Sequence, residues 1–228
     1  MSVPWVPILP PHEPDRAPPR YAWRCMPAEV LLASTSPRRA TLLGEAGLTF
    51  RQVDPGLSDA DEEALAGEAQ TLACQPAQVA RRLALAKLIA ALGREAPAGA
   101  ALAADTFLVH RGALLGKAAH EAQAREILGR LRGDRHEVLS GVAVRLTDGT
   151  LRTGTCTSQV AFTSFDAATL ETFLASGLWR GKAGAYGVQD PETAPLVARV
   201  EGSPSNVKGL PMELVQELLG APADGGPT

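Results

Sequence analysis

The chain has 228 residues, 45% of them apolar and 21% charged, enough for one large domain or two small lobes with a true core. A formal net charge of −3 and an aromatic content of 4% argue against a protein that coats DNA or RNA, which needs a basic surface or a row of stacking rings. The three cysteines are scattered, with no CxxC pair, so they imply neither a zinc site nor a disulfide framework and fit a reducing compartment; no apolar run reaches the length of a membrane span.

Residues 1–28 carry Pro10-Pro11, Pro14 and Pro18-Pro19, which forbid a regular helix or an inner strand, so an extended, disordered extension is expected. Its few apolar residues, Trp5, Ile8 and Leu9, are interrupted by proline and follow no basic residue, which makes a poor signal peptide. The apolar run 30–33 then predicts a short buried strand. It stops at Ser34-Thr35-Ser36, after which Pro37 suits a first helical turn, where a missing N–H costs little. Arg38 and Arg39 fall inside that turn, and 40–45 continue the helix with Leu42 and Leu43 inward. Taken singly, Ser36 is a helix cap and the arginines are a solvated face. Taken together on one strand-to-helix turn, they point to an anion site: unpaired N–H groups, hydroxyl donors and guanidinium forks that match phosphate oxygens.

A second strand is expected over 49–53, followed by the turn Asp54-Pro55-Gly56 and an acidic run, 58–63, that reads as a solvated lead into a helix. The spacing of Val79, Leu83, Ala86 and Ala90 predicts a helix over 76–92. Lys87 lies close to that stripe, either snorkelling or turning its ammonium into a cleft. In 103–109 an aspartate, Asp105, interrupts an apolar strand. Burying it without a partner is expensive, which makes it a functional candidate. A turn at 110–112 and a short strand at 113–115 follow, and Gly116-Lys117 returns a cation towards Asp105.

An amphipathic helix is expected over 119–131, with Ala124, Ile127, Leu128 and Leu131 inward and Gly133 as its cap. Strands at 137–146 and 151–162 flank the tight turn Asp148-Gly149. Asp166 opens a helix over 167–176 that turns Leu170, Phe173 and Leu174 inward. The Gly/Ala-rich loop 181–189 permits close backbone approach to a ligand or a strand. A strand at 195–200, a loop at 202–209, a helix at 211–219 and a frayed tail at 221–228 complete the chain. Among the isolated polar residues, His136 reads as structural and bonded to backbone, Tyr186 as loop packing, Asn206 as a loop fastener and Cys156 as a small core-facing residue.

Six blocks in series carry a resemblance. They are Leu-Ala-Ser-Thr-Ser-Pro-Arg-Arg at 32–39, Ala-Asp-Thr at 104–106, Gly-Lys at 116–117, Leu-Arg-Gly-Asp-Arg-His-Glu-Val at 131–138, Lys-Ala-Gly-Ala-Tyr-Gly-Val-Gln at 182–189 and Ser-Asn-Val-Lys-Gly-Leu-Pro at 205–211. Over about 29–220 the chain resembles the Maf-like nucleoside triphosphate pyrophosphatases, also called the septum-formation inhibitor family. The resemblance implies an α/β fold of the Maf/ITPase-like kind, an elongated mixed sheet with flanking helices and two lobes around a deep nucleotide-binding cleft. Residues 1–28 and 221–228 would lie outside that domain. It also implies hydrolysis of a nucleoside triphosphate to the monophosphate and pyrophosphate with a divalent cation, Mg²⁺ or Mn²⁺, in a cytoplasmic house-cleaning enzyme. Such an enzyme often forms a homodimer and has no nucleic-acid or membrane partner.

By that resemblance Ser34, Ser36, Arg38 and Arg39 would hold the phosphates, Lys87 and Lys117 would oppose charge developing in the transition state, and Asp105 would be the proton acceptor. Asp59 stands where the family usually has glutamate and, with Asp105, would help hold the metal; Lys182 would be a phosphate ligand or a supporting charge. Arg38, Thr106 and Gln189 match the subgroup that prefers dTTP and UTP, and a glutamine amide suits the edge of a pyrimidine. The chain departs from the family at Asp190, where glycine usually follows the glutamine, and at Ala118, where proline usually follows the lysine. The rival expectation is a nucleotide-binding regulator of cell division with little turnover, and the two part at whether the Asp105 carboxylate is needed.

Overall fold

The computed structural model describes residues 29–71 and 74–220, so the extension and tail expected at 1–28 and 221–228 lie outside the described residues. The chain alternates at first: β1 (Val30–Ala33), α1 (Pro37–Glu45), β2 (Phe50–Val53), then two helices, α2 (Asp59–Thr71) and α3 (Pro76–Leu92). The hairpin β3 (Ala100–His110) and β4 (Ala113–Leu115) leads to α4 (Glu121–Leu131), and the long hairpin β5 (Arg135–Arg145) and β6 (Leu151–Phe162) leads to α5 (Ala167–Ala175). An edge strand, β7 (Val197–Glu201), a single turn, α6 (Pro204–Val207), and α7 (Met212–Gly220) finish the fold.

All strands join one seven-stranded mixed sheet in the order β2-β1-β3-β5-β6-β7, with β4 also on β3. β1 is parallel to both β2 and β3, and the remaining pairs are antiparallel. β1 is buried along its whole length because helices cover both of its faces, which is why it reads as a continuous apolar run. On one face Leu31, Ala33, Ala101 and Ala103 meet Ala84, Leu88 and Ala91 of α3. On the other, Leu32, Leu102 and Ala104 meet Leu42 and Leu43 of α1 and Met212 and Val215 of α7. Further along that second face a separate core forms around Leu108, Val138 and Val160, closed by Leu128 of α4 and Phe173 of α5. The two cores meet at β3.

The ladders leave a gap at that meeting point. The β1 ladder on β3 ends at the pair Ala33 and Ala103, and the β4 ladder on the same edge begins at the pair Leu115 and Leu108. Between them β3 keeps its other edge paired to β5, with Asp105 opposite Gly141 and Thr106 opposite Ser140. An opening beside the carboxyl end of a parallel strand is where open α/β sheets bind ligands.

Three expectations are revised. α3 buries Val79 and Leu83, but Ala86 and Ala90 are only half-buried and the inner face is completed by Ala80, Ala84, Lys87, Leu88 and Ala91. The four expected positions stay within about 60° of one another and mark one edge of the buried face, and an alanine-rich helix offers little contrast to fix where that face is centred. His110 extends β3 instead of turning, held by a 2.9 Å bond between its Nε2 and the Asp134 carboxylate, so Arg111 and Gly112 make the turn with positive φ. The 202–209 loop contains α6, whose first turn is capped by the Ser203 hydroxyl accepting from the Asn206 N–H. Among the described residues no helix is long and apolar enough to cross a membrane.

Gly141 sets the distance between α3 and the sheet. A Cβ there would lie 2.1 Å from the Ala80 carbonyl oxygen, which is backbone and has no rotamer to yield. Gly141→Ala is therefore expected to destabilise the fold by about 2 kcal/mol through overpacking. Urea denaturation would read this as a lower midpoint at unchanged slope, and an unshifted midpoint would contradict it.

Candidate active site

A cavity of about 470 Å³ lies over the gap in the sheet. Its first wall is the β1-to-α1 turn, from Ser34 to Arg39. The Ser34 Oγ accepts from the Ser36 N–H at 3.2 Å and from the Arg39 Nη1 at 3.0 Å, which folds the turn back on itself. Gln52, on the neighbouring parallel strand, donates to the Ser34 carbonyl at 2.7 Å and the Ser36 carbonyl at 3.3 Å. Ser36 takes the N-cap position of α1 without a side-chain cap bond, so its hydroxyl is not spent on closing the helix, and the residue lines the cavity.

The two arginines do different work. Arg39 donates from Nε to the Gly209 carbonyl at 2.9 Å and from Nη2 to the Thr106 hydroxyl at 3.4 Å, in addition to its bond to Ser34. It thereby bolts the β1 turn to β3 and to the loop before α7. The Thr106 hydroxyl is drawn into the same network, 2.8 Å from the Ser140 Oγ and 3.2 Å from the Gly209 carbonyl. Burial draws both guanidiniums below their usual range, opposed by Asp190 at Arg38 and by Asp105 at Arg39. Both remain cations.

The second wall is acidic. Asp105 projects from the α3 side of β3, where the Lys87 ammonium lies 2.5 Å from its Oδ1 and 2.9 Å from Oε1 of Glu62 in α2. The Lys87 and Asp105 side chains are only 8% and 11% exposed, so an ammonium here needs its carboxylates. Lys87 thus resolves the choice its sequence position left open: the ammonium points into the cleft. The acidic residue that reaches it is Glu62, from the run expected to be solvated. Asp59 begins α2, and its side chain lies outside the described residues.

The third wall is the Gly/Ala-rich loop. Lys117 forms an isolated antiparallel bridge with Ala183, and the Gly184 N–H donates to the Gly116 carbonyl at 2.9 Å, so Lys117 is carried to the cavity rim. Gly184 needs its positive φ of 68°, and a Cβ there would strike Leu108. Tyr186 and Gln189 line the cavity, whereas the Lys182 ammonium is paired with Asp190. His136 is fully buried with its Nε2 2.6 Å from the Tyr186 hydroxyl, so its partner is a side chain and not backbone. Burial lowers its pKa from 6.5 to about 4 and raises that of Tyr186. Asn206 donates to the Val138 carbonyl at 2.9 Å and the Ser158 hydroxyl at 3.0 Å, fastening its loop across β5 and β6. Cys156 is half-buried on β6.

The expected residues Ser34, Ser36, Arg38, Arg39, Lys87, Asp105, Thr106, Lys117 and Gln189 therefore line one cavity, and Lys182 stands outside its lining. Sequence reasoning missed Gln52, Glu62 and Lys208. Glu62 and Lys208 line the cavity; Gln52 braces its first turn. A polar residue at the end of a strand next to the Ser34-to-Arg39 turn was the only signal for Gln52. Cations, hydroxyls and a held carboxylate, together with the apolar lining of Leu57, Leu108 and Val207, suit a ligand that is part polyanion, part flat ring.

A family model described as Maf-like protein matches residues 29–221. The "dTTP/UTP pyrophosphatase" of Paramagnetospirillum magneticum is 40% identical over 192 residues, covering 84% of this chain and 96% of that protein. The proteins of the same name from Rhodospirillum rubrum and Caulobacter vibrioides are 39% and 40% identical over 190 residues, each covering 83% of this chain and 86% and 93% of their own.

Two consequences can be measured. Arg39→Met removes the bonds to Ser34, Thr106 and Gly209 and leaves their oxygens short of a donor, so a loss of about 3 kcal/mol is expected in chemical denaturation. A loss below about 0.5 kcal/mol, the size of an ordinary surface substitution, would contradict the bolt. His136 stays neutral in the fold down to about pH 4, while the unfolded chain takes up the proton from about 6.5 downwards. The unfolded state binds more protons in that window, so stability falls as pH drops from about 6.5 to about 4 and the contribution then levels off. In His136→Gln this part of the slope should vanish; identical pH profiles for variant and parent would contradict it.

Proposed function

The chain belongs to the Maf-like protein family, and from that membership together with the cavity we propose that it hydrolyses dTTP and UTP to the monophosphate and pyrophosphate. The observation that carries the reading is the Asp105 carboxylate, held by Lys87 in the same cavity as the Ser34-to-Arg39 turn. The polyphosphate would lie along that turn, with Ser36, Arg38, Lys117 and the first N–H groups of α1 meeting its oxygens. Arg39 and Ser34 would shape the turn. The base would lie against the apolar lining and the loop that carries Gln189.

In the reaction, water adds to phosphorus at the α–β anhydride and the bridging P–O bond breaks. The Asp105 carboxylate would take the water proton. Lys87 engages its Oδ1, so the water would be bound through Oδ2. Pyrophosphate leaves with the electron pair of the broken bond, and Arg38 and Lys117 would oppose the charge that collects there. Lys182, neutralised by Asp190, would act as a supporting charge rather than a phosphate ligand.

A divalent cation fits the donor chemistry of this wall. Glu62 and Asp105 supply hard carboxylate oxygens converging on a single point, now the Lys87 ammonium. Among the described residues no group of three or more His, Cys, Asp or Glu could hold an ion unaided, so Asp105 and Glu62 would share Mg²⁺ or Mn²⁺ with phosphate oxygens. Such an ion supplies charge neutralisation at the phosphates. The cytoplasmic location and the homodimer implied by the sequence resemblance belong to the same proposal.

The test is pyrophosphate release from dTTP and UTP. Asp105→Asn should lower turnover by at least about 10³-fold. Calorimetry should still detect dTTP binding by the variant. Undiminished turnover would remove the assigned base, and a binder with no turnover even as wild type would remove the enzyme. Glu62→Gln should weaken activity and raise the Mg²⁺ concentration needed for half-maximal rate; an unaltered metal requirement would exclude Glu62 from the metal wall.

A further inference from the structure

Asp190 is an acidic residue just outside the cavity lining, within electrostatic reach of Arg38, and binding a polyanion does not itself call for an acid here. Its carboxylate is engaged on both oxygens: the Lys182 ammonium pairs with Oδ2, and the Gln189 amide nitrogen donates to Oδ1 at 3.3 Å. Gly187 makes room for this arrangement. A Cβ at that position would lie 2.5 Å from the Gln189 Nε2 and 2.9 Å from the Asp190 Oδ2, so both side chains fold back across Gly187 and a side chain there would push them aside. Gln189 and Gly187 line the cavity, whereas Asp190 and Lys182 stand outside its lining.

A glutamine amide has a donor end and an acceptor end, and turning it over exchanges them. Here the turn is not free. With Nε2 towards Asp190, one N–H meets the carboxylate, the second is left for a ligand oxygen and the carbonyl Oε1 is left to accept. Turned over, Oε1 would face an anionic oxygen and lose its donor. The carboxylate therefore locks the amide in one sense. The locked face offers an acceptor beside a donor. That pattern complements the imide edge of uracil or thymine, where a ring N–H stands beside a carbonyl. It opposes cytosine, whose ring nitrogen accepts and whose exocyclic amine donates.

We propose that Asp190 is a specificity-positioning residue: by holding the Gln189 amide in one orientation it selects imide-bearing pyrimidines over cytosine. Lys182 holds the carboxylate in place and offsets the cost of its partial burial. This inference rests on the nucleotide pyrophosphatase reading of the cavity and narrows its base end.

The experiment compares kcat/KM for UTP and CTP, and for dTTP and dCTP, by pyrophosphate release. The wild type should prefer the imide bases. Asp190→Asn presents an amide that can serve either end of Gln189, so the UTP-to-CTP ratio should fall by about tenfold, the scale of one misdirected hydrogen bond. Asp190→Glu retains a carboxylate and should keep most of the preference. Because Asp190→Asn strands the Lys182 ammonium, Asp190→Asn combined with Lys182→Met is measured beside it and should show the same collapse of the ratio. A merely structural role would lower both rates together and leave the ratio intact; an unchanged ratio in both Asn-bearing variants overturns the proposal. A wild type that hydrolyses UTP and CTP equally well also overturns it, with the pyrophosphatase reading intact. A wild type that releases no pyrophosphate from any of the four nucleotides refutes that reading instead.

Discussion

The structure depends on one buried cation. Lys87 sits between Asp105 and Glu62, and so ties α3 to both β3 and α2 at the edge of the cavity. None of the three groups is cheap to bury alone, and each is tolerable only because the others are there. The arrangement in turn needs α3 to run close against the sheet. Gly141 opposite Asp105, the Ala80 backbone above it and the alanines of α3 and β3 provide that closeness. The small residues of this layer set the distance at which a lysine reaches a carboxylate two strands from the nearest edge of the sheet.

β3 serves both faces of that design. Because side chains alternate along a strand, Asp105 turns towards α3 and Thr106 towards α1 and the loop before α7. One side receives the acid and its ammonium, the other the Arg39 network that closes the Ser34-to-Arg39 turn against Gly209. The gap between the β1 and β4 ladders exposes both to one cavity. A strand paired on both edges throughout would have buried the two residues out of reach of any ligand.

The charges within the cavity are sorted by what holds them. Arg39 is bound to the protein on several sides and shapes the turn, and Lys182 is spent on Asp190. Arg38, Lys117 and Lys208 line the cavity as cations. A chain with a net charge of −3 thus gathers several cations around one cavity without a basic surface, by placing them on converging segments.

Much was legible from local signals. The apolar run of β1, the Ser-Pro-Arg-Arg turn, the isolated acid in β3 and the capped helices α4 and α5 are short-range patterns whose physics the chain carries with it. Their order along the chain also sufficed to reveal the family. What the sequence could not express was rotation and reach. The expected stripe of the alanine-rich α3 was rotated by about a quarter of a turn from the centre of its buried face, because alanine marks no face strongly. Glu62 looked like any member of a solvated acidic run, and only the packing of α2 on α3 turned it towards Lys87. Gln52 acquired its partners when β2 paired with β1, and Lys182 met Asp190 when their loop folded back on itself. Residue types and local periodicity determined which chemistry the chain possesses; which groups share a cavity was decided by tertiary packing, because a charge finds its partner through space and not along the sequence.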